Sequence, residues 1–395
     1  MNPLTLSAYT LTTSLGVGLQ ATLEALRNRR TGLAPCAFET ASLDTWVGQV
    51  PDAMLAPVRS DLAPFDCRNN RLAQLALRQD AMEQALDDAR LRYGAERIGV
   101  VVGTSTSGIL NTELAYRRRD HAGALPADFD YACTHNHYSL ARFLRTYLAL
   151  RGPATVVSTA CSSSAKVFGS AARMMATGLC DAVLVGGADS LCLTTLYGFG
   201  SLELLSKSPC RPYDRQRDGI SIGEGAGFAL LERTPGSARG ATVQLLGVGE
   251  SSDAYHMSTP HPEGAGARVA MQAALTSAGL HADQIDYINL HGTGTRANDA
   301  SEARAVFDLF GDQTPCSSTK GWTGHLLGAC GIAAAIVCAL SLREGFLPGS
   351  ANTRELDPAL RVRYLIDNQP VAPQRVMCNA FGFGGSNCSL VLGCA

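Results

Sequence analysis

The sequence has almost no excess charge of either sign: 33 lysines and arginines face 35 acidic residues, a net charge of −2. That balance gives no polycationic character for nucleic acid. Nor does it contain an uninterrupted apolar run of the ~18 residues that a membrane span needs. The first basic residue is Arg27, and no cationic segment leads into an apolar one, so no secretory signal is expected. The 13 cysteines are odd in number and scattered, without the close spacing of a disulfide framework. A reduced, cytoplasmic protein is the natural expectation. His256, His261 and Cys316 form no zinc pattern, and no metal is expected.

What is abundant is apolar residues, 46% of the chain, and glycine, 40 residues of 395. A large core follows from the first, and tight turns with close backbone approaches from the second. The chain is organised around residues 154–190. Thr155, Val156 and Val157 read as a buried strand, followed by a small-residue turn that ends at Cys161. An alanine-rich helix is expected from about Ser162 to Thr177, closed by Gly178, and then an apolar strand, Ala182 to Val185. A cysteine at a helix N-terminus meets unpaired N–H groups and the positive end of the helix dipole. The thiol pKa is therefore expected to be lowered, and the same N–H groups could hold an oxyanion.

Before this unit, strands are expected over residues 3–9 and 97–103, and helices over 16–27, 69–92 and about 139–150. The stretch from Leu191 to Ile222 reads as loop. Strands at 228–231 and 241–250 and a helix at 265–279 follow. The second half echoes the first. Ile285-Asp-Tyr-Ile-Asn-Leu-His-Gly-Thr-Gly-Thr repeats the strand-to-loop pattern of Ile98-Gly-Val-Val-Val-Gly-Thr-Ser-Thr, and Cys316-Ser-Ser-Thr-Lys mirrors Val157-Ser-Thr-Ala-Cys. The spacing is 55 positions from Gly103 to Ser158 and 27 from His291 to Ser318. The first half thus carries about 28 extra residues, near 110–138, expected at a subunit contact or over a pocket. The expectation is a duplicated α/β fold with its halves at 1–240 and 241–395, whose loops converge on one site.

Three more motifs fall at the ends of those elements: Leu290-His-Gly-Thr-Gly-Thr, Ser318-Thr-Lys-Gly-Trp-Thr-Gly-His-Leu-Leu-Gly-Ala-Cys-Gly, and Asn379-Ala-Phe-Gly-Phe-Gly-Gly-Ser-Asn. Arg211-Pro-Tyr-Asp, Arg217-Asp-Gly and Glu224-Gly-Ala-Gly stand between them and the Cys161 turn. In this order the set resembles the elongating β-ketoacyl-acyl-carrier-protein synthases of the thiolase superfamily, over nearly the whole chain. The resemblance implies a five-layered α-β-α-β-α core and a dimer, either of identical chains or with a related synthase-like subunit. It implies a Cys-His-His site with no cofactor beyond the phosphopantetheine of the carrier protein.

By that resemblance Cys161 takes the acyl group from a carrier-protein thioester. His291 and His325 then stabilise the enolate left when malonyl-carrier protein loses CO2. Lys320 and Glu302 match the pair that supports the histidines, and the backbone N–H groups of Cys161 and Phe383 match the oxyanion hole. Thr293 and Thr295 match the hydroxyls that hold pantetheine. Thr106, Tyr131 and Phe383 match the acyl pocket and its gate. Arg68, Arg71 and Lys207 are candidates to dock the acidic carrier protein. Arg68-Asn-Asn-Arg71 together with Gly103-Thr-Ser-Thr-Ser-Gly looks like the synthases of aryl polyene pigment clusters, which extend rigid conjugated chains.

Two other readings differ in chemistry. A chain-length-factor subunit keeps the fold but not the nucleophile, whereas here Cys161, His291, Lys320 and His325 are all present. A degradative thiolase uses a second cysteine in its last loop. Cys378 and Cys388 lie nearby, but Gly382-Phe-Gly-Gly occupies the place of that cysteine.

Overall fold

Strand patterning decides the layering. The computed structural model describes residues 1–234 and 242–394. The chain begins with β1 (Leu4–Thr13), α1 (Gly18–Arg27), α2 (Arg68–Leu77), α3 (Met82–Tyr93) and β2 (Ile98–Gly103). It continues through α4 (Ile109–Arg117), α5 (Tyr138–Tyr147), β3 (Ala154–Val157), α6 (Ser163–Ala176), β4 (Ala182–Asp189), α7 (Leu193–Ser201) and β5 (Gly225–Arg233). Then come β6 (Val243–Ser252), α8 (Ala265–Ala278), β7 (Tyr287–Asn289), α9 (Arg296–Phe310), β8 (Pro315–Ser317), α10 (Cys330–Glu344), β9 (Arg375–Gly382) and β10 (Ser386–Cys394).

The strands are ordered β3-β2-β4-β5-β1 and then β6-β10-β9-β7-β8, with a two-residue strand at Arg363–Tyr364 beyond β8. Read from its far end, the second set repeats the first strand for strand. In each set the three outer strands (β3, β2 and β4; β8, β7 and β9) are parallel and the other pairings antiparallel. β1 and β6 join the sets, pairing antiparallel with Leu4 opposite Leu245. The repeat read from the motifs is therefore the repeat of the fold, with β2 matching β7 and β3 matching β8. The expected boundary at residues 240 and 241 lies outside the described residues.

Side chains alternate between strand faces, so successive residues enter different layers. On β4, Ala182 and Leu184 pack with α2, α3 and α5, whereas Val183 and Val185 pack with α6 and α10. On the second set, Ile288, Met377 and Val391 face α8 and α9, whereas Tyr287, Val376 and Leu390 turn inward. The result is five layers, with α6 and α10 in the middle. Residues 327–344 have the length and composition of a membrane span, but they are buried in this central layer. A helix that is apolar all round is the expected solution there. The two central helices meet at Gly331, where a Cβ would lie 2.3 Å from the Ala165 nitrogen.

Two expectations about elements fail for reasons of tertiary contact. Residues 69–92 do not form one helix: the chain breaks between α2 and α3, where Asp80 and Ala81 both have φ of 55°. The break lets the Asp80 carboxylate accept the Leu19 N–H at 3.1 Å, in the first turn of α1, and the Thr10 hydroxyl at 2.8 Å. Residues 191–222 are not all loop, because α7 forms within them. Its first N–H groups, of Leu193 and Thr194, are accepted by Glu113 on α4 at 3.0 and 2.7 Å. That cap comes from 80 residues away and leaves no local sign. Residues 110–138 form most of α4 followed by turns, and they leave Tyr116, Leu125, Tyr131 and Tyr138 exposed.

Candidate active site

Strand ends carry the chemistry. After β3 the chain turns through Ala160, whose φ is 52°, and Cys161 follows two residues before α6 begins. β7 delivers His291, and the turn before α10 delivers His325. The Cys161 sulfur and a nitrogen from each ring lie within 4.8 Å of one another, all buried. The two imidazoles meet edge to face, with centroids 5.6 Å apart and planes at 85°.

Each ring is held through Nδ1. The Lys320 ammonium sits 3.3 Å from His291 Nδ1 and also donates to the His291 carbonyl. The Leu327 N–H donates to His325 Nδ1 at 3.0 Å, and the Cys330 sulfur lies 3.6 Å from the same nitrogen. Donors on Nδ1 leave Nε2 to carry the proton. Burial lowers both pKa values, His291 well below its usual range and His325 to about 3, with Lys320 adding to each. The rings are therefore neutral N–H donors, not imidazolium. A divalent metal needs lone pairs, and Nε2–H groups do not offer them.

Glu302 supports the same centre from the backbone side. Its oxygens accept the His291 and Gly292 N–H groups at 2.8 and 2.7 Å, and the Asn379 amide at 3.1 Å. Burial raises its pKa to about 7, with these donors pulling it back. Lys320 thus holds the His291 ring, and Glu302 the His291 main chain.

The Cys161 thiol reverses an expectation. Burial pushes it up to about 12, and the neighbouring Cys330 adds to the rise. Lys320 and the backbone N–H groups of Phe383 and Cys161 pull the other way, and they lose. Desolvation of a fully enclosed sulfur outweighs the helix-end effect. At rest Cys161 is a neutral thiol.

A cavity of about 450 Å³ opens beside these groups, lined by Cys161, His291, His325, Thr293, Thr295 and Phe383. Thr293 and Thr295 share a 2.9 Å hydroxyl contact, and the Thr295 side chain also caps α9 by accepting the Asn298 N–H. Phe383 begins a short turn in which Gly384 and Gly385 have φ of 81° and 75°. Its ring packs against Phe199 of α7, centroids 5.6 Å apart. Phe199 also lines the cavity, and the sequence reading missed it because α7 was not foreseen.

Five other candidates lie outside the cavity lining. Thr106 does not line the cavity: its hydroxyl donates to buried Asp189 at 2.8 Å. Tyr131 also lies outside the cavity lining, 53% exposed and edge-on to His135. Arg68 is not a free docking cation, because its guanidinium pairs with fully buried Glu224 and with Asp52, both at 2.6 Å. Arg71 is paired with Asp66 at 2.5 Å. Lys207 is exposed, and its backbone N–H donates to Asp218, a residue of the cavity wall.

Comparison with known proteins agrees with this geometry. Residues 9–236 match the β-ketoacyl synthase N-terminal domain, and residues 242–354 the β-ketoacyl synthase C-terminal domain. The chain is 35% identical to a 3-oxoacyl-[acyl-carrier-protein] synthase 2 of Vibrio cholerae over 83% of this chain and 86% of that one. It is 37% identical to nodulation protein E of Rhizobium meliloti over 75% of each chain. Among solved structures it is similar to a ketosynthase in complex with its chain length factor from Xenorhabdus doucetiae. That match has a TM-score of 0.91 and 40% identity, and covers 100% of this chain and 98% of that one. A buried cysteine and two neutral imidazoles on a duplicated fold, with both domain matches, mean that the chain belongs to the β-ketoacyl synthase family.

Proposed function

We propose that this enzyme joins a two-carbon unit from malonyl-carrier protein to an acyl group held on Cys161. In the first half-reaction the thiol attacks a carrier-protein thioester. The carbonyl oxygen, negative in the tetrahedral intermediate, is placed for the backbone N–H groups of Cys161 and Phe383. The thiol proton leaves with the pantetheine sulfur, so no free thiolate persists in the cavity. In the second, malonyl-carrier protein enters past Thr293 and Thr295 and loses CO2. Negative charge then grows on its thioester oxygen, facing the Nε2–H groups of His291 and His325. The enolate carbon attacks the Cys161 thioester, the tetrahedral intermediate expels the Cys161 sulfur as thiolate, and a proton from solvent in the cavity restores the thiol.

The observation that carries this reading is the donor on each Nδ1, which makes both imidazoles neutral N–H donors beside the nucleophile. A degradative thiolase would place a second thiol at the substrate, whereas Cys378 and Cys388 are buried within β9 and β10 and are not among the residues lining the cavity. The decisive experiment incubates purified protein with malonyl-carrier protein and measures CO2. No release, with or without an acyl donor, would sink the proposal.

We assign the carrier protein as partner, with Lys207 beside the entrance as its contact. The second partner is a related synthase-like subunit, in keeping with the ketosynthase of similar fold solved with its chain length factor. Edge strand β3 is half-buried along its whole length, and exposed Tyr116, Leu125, Tyr131 and Tyr138 offer apolar area for such a subunit. The halves 1–240 and 241–395 act together on one cavity, which draws Cys161 from the first and both histidines from the second. Thirteen free cysteines fit a reducing, cytoplasmic compartment. For substrate we propose conjugated, aryl-primed chains on the strength of the Arg68–Arg71 and Gly103–Gly108 motifs. Thr106 and Tyr131 do not support that choice from within this subunit. Equal extension of saturated and conjugated acyl-carrier proteins of one length would remove it.

A further inference from the structure

Asp189 ends β4, fully buried, and the proposed chemistry does not use it. Its carboxylate accepts from six donors on two other segments. Oδ1 takes the hydroxyls of Thr104 and Thr106 at 2.6 and 2.8 Å and the Thr106 N–H at 2.9 Å. Oδ2 takes the Ser105 hydroxyl at 2.6 Å, the Ser105 N–H at 2.9 Å and the Gly328 N–H at 2.5 Å. The Gly328 N–H also reaches the Ser105 hydroxyl oxygen at 3.2 Å. No side chain fits at residue 328, since a Cβ there would lie 2.6 Å from Asp189 Oδ2 and 2.8 Å from the Ser105 nitrogen.

The neighbour of Gly328 is Leu327, whose N–H fixes the His325 ring through Nδ1. Leu327 has a φ of 52°, a left-handed conformation that residues bearing a Cβ rarely adopt. Something outside the turn must hold it there. Among the described residues, the one carboxylate bonded to this turn is that of Asp189, through Gly328. The Gly103-Thr-Ser-Thr-Ser-Gly loop, whose Thr106 matched the acyl pocket by resemblance, is the other half of the same clamp.

We propose that Asp189 is a positioning residue for His325, acting through Gly328 and Leu327, with the Thr104–Thr106 loop filling its remaining acceptor sites. This rests on the reading of His325 as a donor to the enolate oxygen. Asp189 touches no substrate. It fixes the turn from which the Leu327 N–H selects the Nε2–H tautomer and aims it into the cavity.

The test compares Asp189→Asn and Ser105→Ala with wild type and with His325→Ala. It measures malonyl-carrier-protein decarboxylation, acyl loading of Cys161, and the ¹⁵N shifts of the His325 ring. Asn presents a donor where the carboxylate accepts, so Asp189→Asn should lower the decarboxylation kcat about 10-fold or more, with KM and acyl loading within about 2-fold. The His325 nitrogen signals should shift away from the pure Nε2–H pattern. Ser105→Ala keeps the carboxylate and should show the same selective loss at about 3-fold. Should Asp189→Asn fail to fold, Ser105→Ala decides alone. Parallel losses of loading and decarboxylation, or unchanged His325 signals with wild-type decarboxylation, would overturn the proposal. Intact decarboxylation in His325→Ala would instead refute the role of His325, leaving the ring signals to report on the clamp.

Discussion

Removing the His325 imidazole isolates one of the two donors on which the proposed condensation depends. In His325→Ala the enolate oxygen keeps the Nε2–H of His291, whose Lys320 contact at 3.3 Å is untouched. Loss of one oxyanion donor costs about 10²–10³ in kcat, or ~2.7–4 kcal/mol of barrier. The cavity left by the ring adjoins a pocket of about 450 Å³, so water can enter and donate in its place, which puts the expected loss near the lower figure, ~10². Acyl loading uses Cys161 and the backbone N–H groups instead, and should fall by less than ~10-fold. His325→Asn, which returns an N–H donor, should recover part of the decarboxylation. The assay is ¹⁴CO2 release from labelled malonyl-carrier protein, with the acyl mass on the Cys161 peptide read in parallel. Wild-type CO2 release from His325→Ala, or an equal collapse of both half-reactions, would refute the division of labour.

In Cys161→Ala no acyl mass should be found on the peptide spanning the turn before α6, and a stable adduct there would show that another group is the nucleophile. The pH profile should carry an acid limb near 7, from protonation of Glu302 as pH falls through its raised pKa of about 7. The histidines should not contribute one, because their lowered pKa values keep them neutral to well below pH 6.5. Glu302→Gln should remove the limb, and its persistence near 6.5 in that variant would contradict the neutral-imidazole argument. Arg68→Ala should cost stability rather than carrier affinity, by ~3–5 kcal/mol, because it strands the fully buried carboxylate of Glu224. An unchanged Tm with weakened carrier binding would return Arg68 to the docking surface.

The sequence by itself determined the repeat, and the resemblance carried by its motifs singled out Cys161, His291 and His325. Each of these is written in a local pattern: a β-branched run, a small-residue turn, and then Cys161 at a helix start or His291 at a strand end. Backbone geometry over about ten residues is enough to fix such a pattern, and the strand order then brings the turns together.

What only the tertiary structure decided were the partners. Thr106 matched the acyl pocket by resemblance, yet its hydroxyl is taken by Asp189, 83 residues away. Arg68 looked like a surface cation until Glu224, 156 residues away, claimed it. Asp80 broke an amphipathic helix to reach the start of α1, and Glu113 capped a helix that its own residues do not announce. The Cys161 thiol rose where its helix position predicted a fall, because desolvation by the whole fold outweighs the dipole of one helix. Burial and hydrogen-bond partners are set by residues distant in the chain, and no local window of sequence contains them.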